Sequence, residues 1–248
     1  MKIIQQIMLM VVAWSAFSCA PTPIYLLRPL AEDKRWLHGR ELAYVTHAGY
    51  EVEVAFVRSA GRELIFEIWL RNNNTRAVEV APERFYILSS TAATDSAIGA
   101  EGRHAIDPEV ALLNLDKALA KNAASHKTEA ALDLTVAVLD VVVELANAGK
   151  EKSQEEIERE EQERREEAEA RREREFEHET KRARLQKEQA YWETQPLRKT
   201  TLAAKQTVEG YVHFPVLAQG RPAPFVKLVL PLNETKLVFV FERRKIKP

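Results

Sequence analysis

The residue types that most often carry chemistry are present in this sequence, but they form no catalytic motif. His178-Glu179 begins like the zinc-protease pattern HExxH, yet Arg182 stands where the second histidine is required. There is no glycine-rich phosphate loop and no G-x-S-x-G nucleophile pattern. The six histidines are scattered, at positions 38, 47, 104, 126, 178 and 213. The sequence therefore predicts a protein that is not an enzyme and that holds no metal and no other cofactor.

Three other kinds of site have less support in the sequence. A hydrolase would need His213 or His47 to meet carboxylates in a cleft built by distant parts of the chain. Calcium needs converging oxygens, whereas the acids of 151–179 lie along a helix among arginines. Glutamates interleaved with the arginines of 164–184 cancel the field that phosphate binding needs. With a net charge of −1 over 248 residues, we expect no nucleic-acid partner.

A set of aromatic residues supports a second hypothesis about function. They stand in β-like runs, at Trp69, Tyr86, Tyr211 and Phe239. Such positions belong either to a core or to an exposed aromatic face that binds carbohydrate. The alternative function is therefore a glycan- or peptidoglycan-binding module of the cell envelope.

The only cysteine, Cys19, directly follows an apolar run over 3–17 that Lys2 precedes. A single cysteine excludes a disulfide within the chain. The run is shorter than the roughly 20 residues of a membrane-spanning helix and is typical of a secretory signal. Ala16-Phe17-Ser18-Cys19 resembles the lipobox of bacterial lipoproteins, although Phe17 is a less usual residue there.

The resemblance implies how the protein is tethered. In that family the signal, here 1–18, is removed, and the cysteine, here Cys19, carries lipid on its thiol and on the new amine. Several acyl chains give stable membrane anchoring, where one is marginal. Ala20, rather than aspartate, follows the cysteine, which by the family's sorting rule favours the outer membrane. We therefore expect an envelope protein anchored through Cys19 and facing the periplasm.

Composition and periodicity divide the remaining chain into β and helical parts. Prolines after the cysteine predict an extended tether over 19–38. Apolar and polar residues alternate through much of 39–104 and 196–248, which predicts strands. Either set of strands alone would form a sheet of marginal stability. We therefore predict one discontinuous, antiparallel, immunoglobulin-like β-sandwich, with residues 105–195 as a long α-helical insertion. The fold class is α+β overall. Segments 198–202 and 210–215 loosely resemble the closing strands of immunoglobulin-like domains in envelope lipoproteins. Two small β domains joined by a helical stalk are the alternative fold.

The insertion contains two contrasting helical patterns. Asp107-Pro108-Glu109 is typical of a helix start, with Asp as the N-cap and Pro at the first position. Residues 150–190 are dense in Glu and Arg, without the sustained apolar seam of a coiled coil, and predict a solvated helix. Equal lengths on either side of Gly149 predict an antiparallel hairpin.

The apolar segment 132–145 is the predicted interface. Acids recur on one side of the helix, at Glu129, Asp133, Asp140 and Glu144. Apolar residues share another face, at Leu132, Val136, Leu139 and Val143. The charged helix cannot bury this face, so its cover is the 108–122 helix folded back, the sandwich, a second protomer or lipid. The function predicted from these patterns is a non-enzymatic envelope scaffold that presents a helical arm to a protein partner or to itself.

Overall fold

The computed structural model describes residues 25–30, 34–37, 39–60, 63–94, 102–146, 153–215 and 223–245. The predicted lipidation site, Cys19, lies outside these residues. The chain divides into two compact units. The β-unit combines Met1–Ala105 with Lys199–Pro248, and the helical unit is Ile106–Arg198.

The β-unit is built from two five-stranded sheets and one small pair. Its strands are β1 (Tyr25–Pro29), β2 (Lys34–Leu37), β3 (Arg40–His47), β4 (Tyr50–Ala60), β5 (Glu63–Asn72), β6 (Val78–Val80), β7 (Tyr86–Ser90), β8 (Arg103–His104), β9 (Thr200–Leu202), β10 (Thr207–Pro215), β11 (Phe225–Leu232) and β12 (Thr235–Lys245). The first sheet has the order β1-β12-β11-β7-β8 and the second the order β10-β5-β4-β3-β2, while β6 pairs with β9. All of these neighbouring strands are antiparallel.

Strands from both sides of the insertion share each large sheet. In the second sheet β10 pairs with β5, and in the first sheet β11 pairs with β7. The predicted fold class, a mainly antiparallel β-sandwich with a long α-helical insertion, is therefore confirmed. The alternative of two separate β domains is wrong, because neither half of the chain completes a sheet alone.

Phe66 joins the two sheets at the centre of the core. Alternation along β4 and β5 sends one set of side chains inward, and Phe66 is fully buried. Its ring lies 5.8 Å from that of Phe214 on β10 and 5.1 Å from that of Phe241 on β12, measured between centroids. Both pairs are edge-to-face, an arrangement aromatic rings prefer. The Phe66–Phe214 contact therefore lies within the second sheet, and the Phe66–Phe241 contact joins the second sheet to the first.

The predicted tether over 19–38 is corrected in its described part. Tyr25–Pro29 pairs with β12, and Lys34–Leu37 pairs with β3. Each forms an edge of its sheet. Proline lacks an N–H and is therefore tolerated on an edge strand, so Pro29 does not prevent pairing.

A turn separates β9 from β10. Ala203–Gln206 makes a turn in which Lys205 has φ +65°, and the Gln206 side chain accepts a hydrogen bond from Ala203 N at 3.1 Å. The buried amide of Asn72 donates to Leu202 O at 3.0 Å from the end of β5. Left-handed conformation is uncommon for lysine, and no glycine in this segment signals the turn.

The helical unit consists of α1 (Pro108–Ala146) and α2 (Gln154–Thr194). Asp107 Oδ1 accepts from Glu109 N at 2.9 Å at the start of α1. Ser153 and Glu156 form a capping box at the start of α2, each side chain bonding the other's backbone N–H. The prediction of helix over 132–145 is confirmed. A separate 108–122 helix folded back onto it is excluded, because α1 is one continuous helix.

Candidate interaction surface on the helical hairpin

The seam between the two helices is made of opposite charges. Asp133 of α1 lies 3.2 Å from Arg174 and 3.4 Å from Arg171 of α2. Glu129 Oε2 lies 2.8 Å from His178 Nε2. Glu129 and Asp133 of α1 therefore face α2.

Further polar contacts continue the seam away from Asp133. Asn122 is buried and its amide donates to His178 O at 3.2 Å. Gln189 donates to Asp116 at 2.9 Å, and Arg198 binds Glu109 through two nitrogens at 2.7 and 2.8 Å. Residue numbers rise along α2 as they fall along α1, so the helices are antiparallel, as the predicted hairpin requires. We call 131–146 with 154–169 the tip half, and 108–130 with 170–194 the base half.

The apolar residues of the α1 tip half lie away from this seam. Asp133 faces α2. Side chains that lie about 100° around the helix from Asp133, on either side, therefore project from the two flanks of the hairpin, and those opposite Asp133 project from its outer side. Seven apolar side chains there are between 47% and 68% exposed: Leu132, Leu134, Val136, Val138, Leu139, Val141 and Val142. These seven residues form what we call the apolar tip surface. No contact within the described helical unit covers it.

The predicted interface residues fall on this surface as far as they are described. Leu132, Val136 and Leu139 are exposed on one flank. Val143 belongs to α1, but its side chain lies outside the described part of the chain. A second flank, which the acid spacing does not predict, is formed by Leu134, Val138 and Val141. The acid spacing shows one face of α1, but only the hairpin register shows that this face points inward.

Charge is distributed unevenly along the hairpin. The α2 segment 154–169 has nine glutamates and three arginines, and the α1 tip half adds Asp133, Asp140 and Glu144. The α2 segment 170–187 has seven arginines or lysines and four glutamates. The tip half is therefore acidic, whereas the neighbouring part of α2 is basic.

The conditions for a hydrolase are met only in part. His213 is buried and its Nδ1 lies 2.8 Å from Glu63 Oε2. Glu63 is the first residue of β5, whereas a polar cavity lies beyond the last residue of β5. At about 3.3 Å per residue, roughly 30 Å separates the two places. The histidine–carboxylate pair therefore does not open into this cavity.

That cavity lies among the loops at one end of the sandwich. Its lining comprises Ala48, Tyr50, Asn74, Thr75, Arg76, Ala77, Asn233, Glu234 and Thr235. Asn74 Nδ2 donates to Ala48 O at 3.1 Å, and Asn233 Nδ2 to the Tyr50 hydroxyl at 3.4 Å. These amides already tie loops together, so the lining has a structural role. His47 is exposed beside it and is not among the lining residues.

The predicted aromatic face is divided by the fold. Phe239 is buried in the core, and Tyr86 stands on the first sheet, 5.6 Å from the His104 ring. Trp69 and Tyr211 are half-buried on one face of the second sheet, opposite Glu209 and Glu67 of the adjacent strands. Only this pair remains as a carbohydrate-binding candidate.

Comparison with protein-family models, with curated proteins and with solved structures finds no match. Among the described residues, no helix is long and apolar enough to cross a membrane. Within the same residues, no three His, Cys, Asp or Glu side chains are grouped to hold a metal ion. The geometry of the hairpin is therefore the observation on which a function can be argued.

Proposed function

We propose that the protein is a lipid-anchored cell-envelope lipoprotein of the outer membrane that acts by binding. Its β-sandwich serves as a scaffold, and its helical hairpin is the arm presented to a protein partner. The apolar tip surface is the observation that carries this proposal. It is contiguous along more than two turns of α1 and exposed on a helix whose polar side is already used against α2.

Exposure of this surface is costly for a protein in water. Burying one such side chain stabilises by about 1.5–3 kcal/mol relative to leaving it exposed. Contiguous exposed apolar patches in soluble proteins mark interaction sites. A partner that covers Leu132, Val136 and Leu139 would therefore gain several times the roughly 0.2–1 kcal/mol of an exposed ion pair.

The tether is tested by Cys19→Ser. Labelled palmitate should enter the unvaried chain and not the variant, and the variant should leave the membrane fraction. Ser18→Ala, which keeps a small residue before the cysteine, is the matched control and should label normally. Equal labelling of the Cys19→Ser chain and the unvaried chain would refute the anchor.

The arm is tested by native electrophoresis of gently solubilised membranes. The unvaried chain should migrate in a complex heavier than a single chain. Replacing Leu132, Val136 and Leu139 together by Glu should return it to the mass of one chain, since buried carboxylates are costly. Val110 and Leu113 of the base half, each 52% exposed, provide a control when both are replaced by Glu. Loss of the complex in both variants, or in neither, would contradict the assignment.

Glycan binding is the second candidate, supported by the shared position of Trp69 and Tyr211 on one sheet face. Aromatic faces pack against sugar rings, and flanking Glu67 and Glu209 supply hydrogen-bond acceptors. If this face binds peptidoglycan, Trp69→Ala should abolish sedimentation with purified sacculi, while Tyr86→Ala on the other sheet should not. No sedimentation of the unvaried chain would eliminate this candidate.

A further inference from the structure

We propose that the edge of the β-unit formed by β1 and β2 docks on the surface of a phospholipid bilayer through Trp36 and Leu37. This inference rests on the proposed function, because the lipid on Cys19 brings this edge to the membrane. It adds a second membrane contact to the anchor. The second contact would orient the β-unit on the lipid surface, whereas a lipid tether alone would leave it free to turn.

The strand β2 exposes two large apolar side chains. Trp36 is 65% exposed and Leu37 is 52% exposed, and Leu30, which lies between β1 and β2 in the chain, is 39% exposed. Tryptophan is highly buried on average in folded proteins, so its exposure beside other apolar residues indicates a contact surface. Successive side chains of a strand point to opposite faces. One surface can therefore touch both Trp36 and Leu37 only where it meets the open edge of β2.

The fold shortens the tether that joins this edge to the lipid. Tyr25–Pro29 is paired with β12, so only residues 20–24 separate the modified Cys19 from β1. A chain reaches at most about 3.6 Å per residue, and the six steps from Cys19 to Tyr25 therefore span at most about 22 Å. The start of β1 is held within this distance of the lipid-bearing residue.

Trp36 lies beside β1, close to the point at which the tether enters. It is opposite Glu41 in the β2–β3 pair, and the Glu41 carboxylate is 3.9 Å from Nε of Arg28 on β1. Arg28 is three residues from Tyr25, which is about 10 Å along the strand. The exposed tryptophan is therefore on the side of the β-unit that the tether holds near the bilayer.

The open edge also sets the depth of the contact. Within the described residues β2 pairs with β3 alone, so backbone N–H and C=O groups line its free side. Unpaired backbone groups are not tolerated in the hydrocarbon of a bilayer, but the headgroup region is hydrated and accepts them. Tryptophan is enriched at this same level, where its ring is apolar and its N–H finds a polar partner. The edge is therefore suited to the headgroup region.

A membrane fits this edge better than a strand of another protein does. β2 has four residues and carries Lys34 and Arg35, and short, basic edge strands resist pairing with other strands. β1 adds Arg28, and neither strand contains an acidic residue. Arg28 and Arg35 are paired with Glu41 and Glu53, at 3.9 and 3.0 Å, which leaves Lys34 without a carboxylate partner in the described part of the chain. The apolar side chains, rather than charge, therefore carry the contact.

The docking is tested with the full, lipidated chain in vesicles of phosphatidylethanolamine and phosphatidylglycerol. A bimane fluorophore on Leu37→Cys reports contact with lipids that carry a nitroxide quencher on the headgroup. The thiol of Cys19 is acylated in the lipoprotein, so the unvaried chain gives the background. The matched control is Thr207→Cys, which is exposed on β10 at the opposite edge of the same sheet, about 19 Å across four strand spacings. We expect quenching at position 37 to be at least about threefold stronger than at position 207.

Three outcomes would overturn the inference. Equal quenching by lipid at the two positions would show that the membrane does not prefer β2. A label at position 37 that is shielded from aqueous iodide, yet not quenched by lipid, would show that protein covers β2. In both cases the entry of palmitate into the same chain would leave the anchor intact, so the docking fails and the proposed function survives. A chain without palmitate refutes the anchor, and the docking falls with it.

The role of the tryptophan has its own readout in the same assay. In the Leu37→Cys chain, Trp36→Ala should reduce the lipid quenching several-fold. Trp36→Tyr should retain most of it, because tyrosine is also enriched at the membrane interface. Both variants should keep the unfolding midpoint of the unvaried chain, since the side chain of Trp36 is exposed. Unchanged quenching in Trp36→Ala would show that the tether alone holds the edge near the lipid, and the proposed contact would be wrong.

Discussion

The β-sandwich and the helical hairpin use their apolar residues in opposite ways. In the sandwich, Phe66 and Phe241 meet inside, and charged side chains such as Glu53 lie on the outer faces. On α1 of the hairpin, Asp133 faces Arg171 and Arg174 of α2, whereas Leu139 lies outside. The first arrangement is complete within one chain. In the second, the exposed apolar side chains gain the free energy of burial only when another surface covers them.

The contrast shows what holds each region together. Burial of aromatic and aliphatic side chains stabilises the sandwich. The tip half depends on helix propensity, on the capping box at Ser153, and on ion pairs such as Glu161–Arg165 at 3.5 Å. Each surface pair of this kind contributes about 0.2–0.5 kcal/mol. The tip half is therefore held by weaker interactions than the sandwich is.

The largest expected effect comes from opening the core of the sandwich. Phe66→Ala should lower the free energy of unfolding by about 3–5 kcal/mol, because it removes a buried ring and leaves a cavity between the sheets. Chemical denaturation of the chain from residue 20 onward, followed by the β-type circular dichroism signal, measures this change.

The matched control for Phe66→Ala is Leu139→Ala on the hairpin. At a monomeric concentration it should change the free energy by no more than about 0.5 kcal/mol, since the side chain is already exposed. Comparable losses for the two variants would mean that Leu139 is covered within its own chain, and the contrast between the regions would be wrong.

A smaller effect is expected at the seam of the hairpin. Asp133→Ala removes the pairs with Arg171 and Arg174, whose side chains are partly exposed. Exposed pairs are worth up to about 1 kcal/mol, and salt screens them. The loss of helical stability, followed at 222 nm, should therefore shrink as salt is raised. Asp116→Ala removes a contact with the uncharged Gln189 and is the control whose effect should not depend on salt in this way. A loss of several kcal/mol would point to a role for Asp133 beyond these surface pairs.

The sequence predicts the sandwich better than the hairpin surface for a physical reason. Apolar and polar residues alternate along β4 and β5, and this alternation predicts both the strands and their buried faces, because successive side chains of a strand point to only two sides of the sheet. On α1 the stripe containing Glu129 and Asp133 marks one side, but its contact with His178 and Arg174 depends on a register set across more than forty residues. Long-range partners also explain the missed features of the β-unit. Pro29 is tolerated because β1 is an edge strand, and the turn at Lys205 is secured by Asn72, far away in sequence.

The smallest expected effect on stability, and the most informative one, is that of Leu139→Glu. Leucine and glutamate have similar helix propensities, so in a monomer the free energy of unfolding should change by no more than about 0.5 kcal/mol. Self-association instead makes the melting temperature of the unvaried chain rise with concentration, because assembly stabilises the folded state by mass action. For the chain from residue 20 onward, Leu139→Glu should abolish this concentration dependence and reduce the mass measured by light scattering to that of one chain. Leu113→Glu, on the same helix in the base half, should leave both quantities unchanged. If Leu139→Glu lowers the melting temperature equally at every concentration, the chain itself covers Leu139, and the hairpin buries its apolar residues within one chain, as the sandwich does.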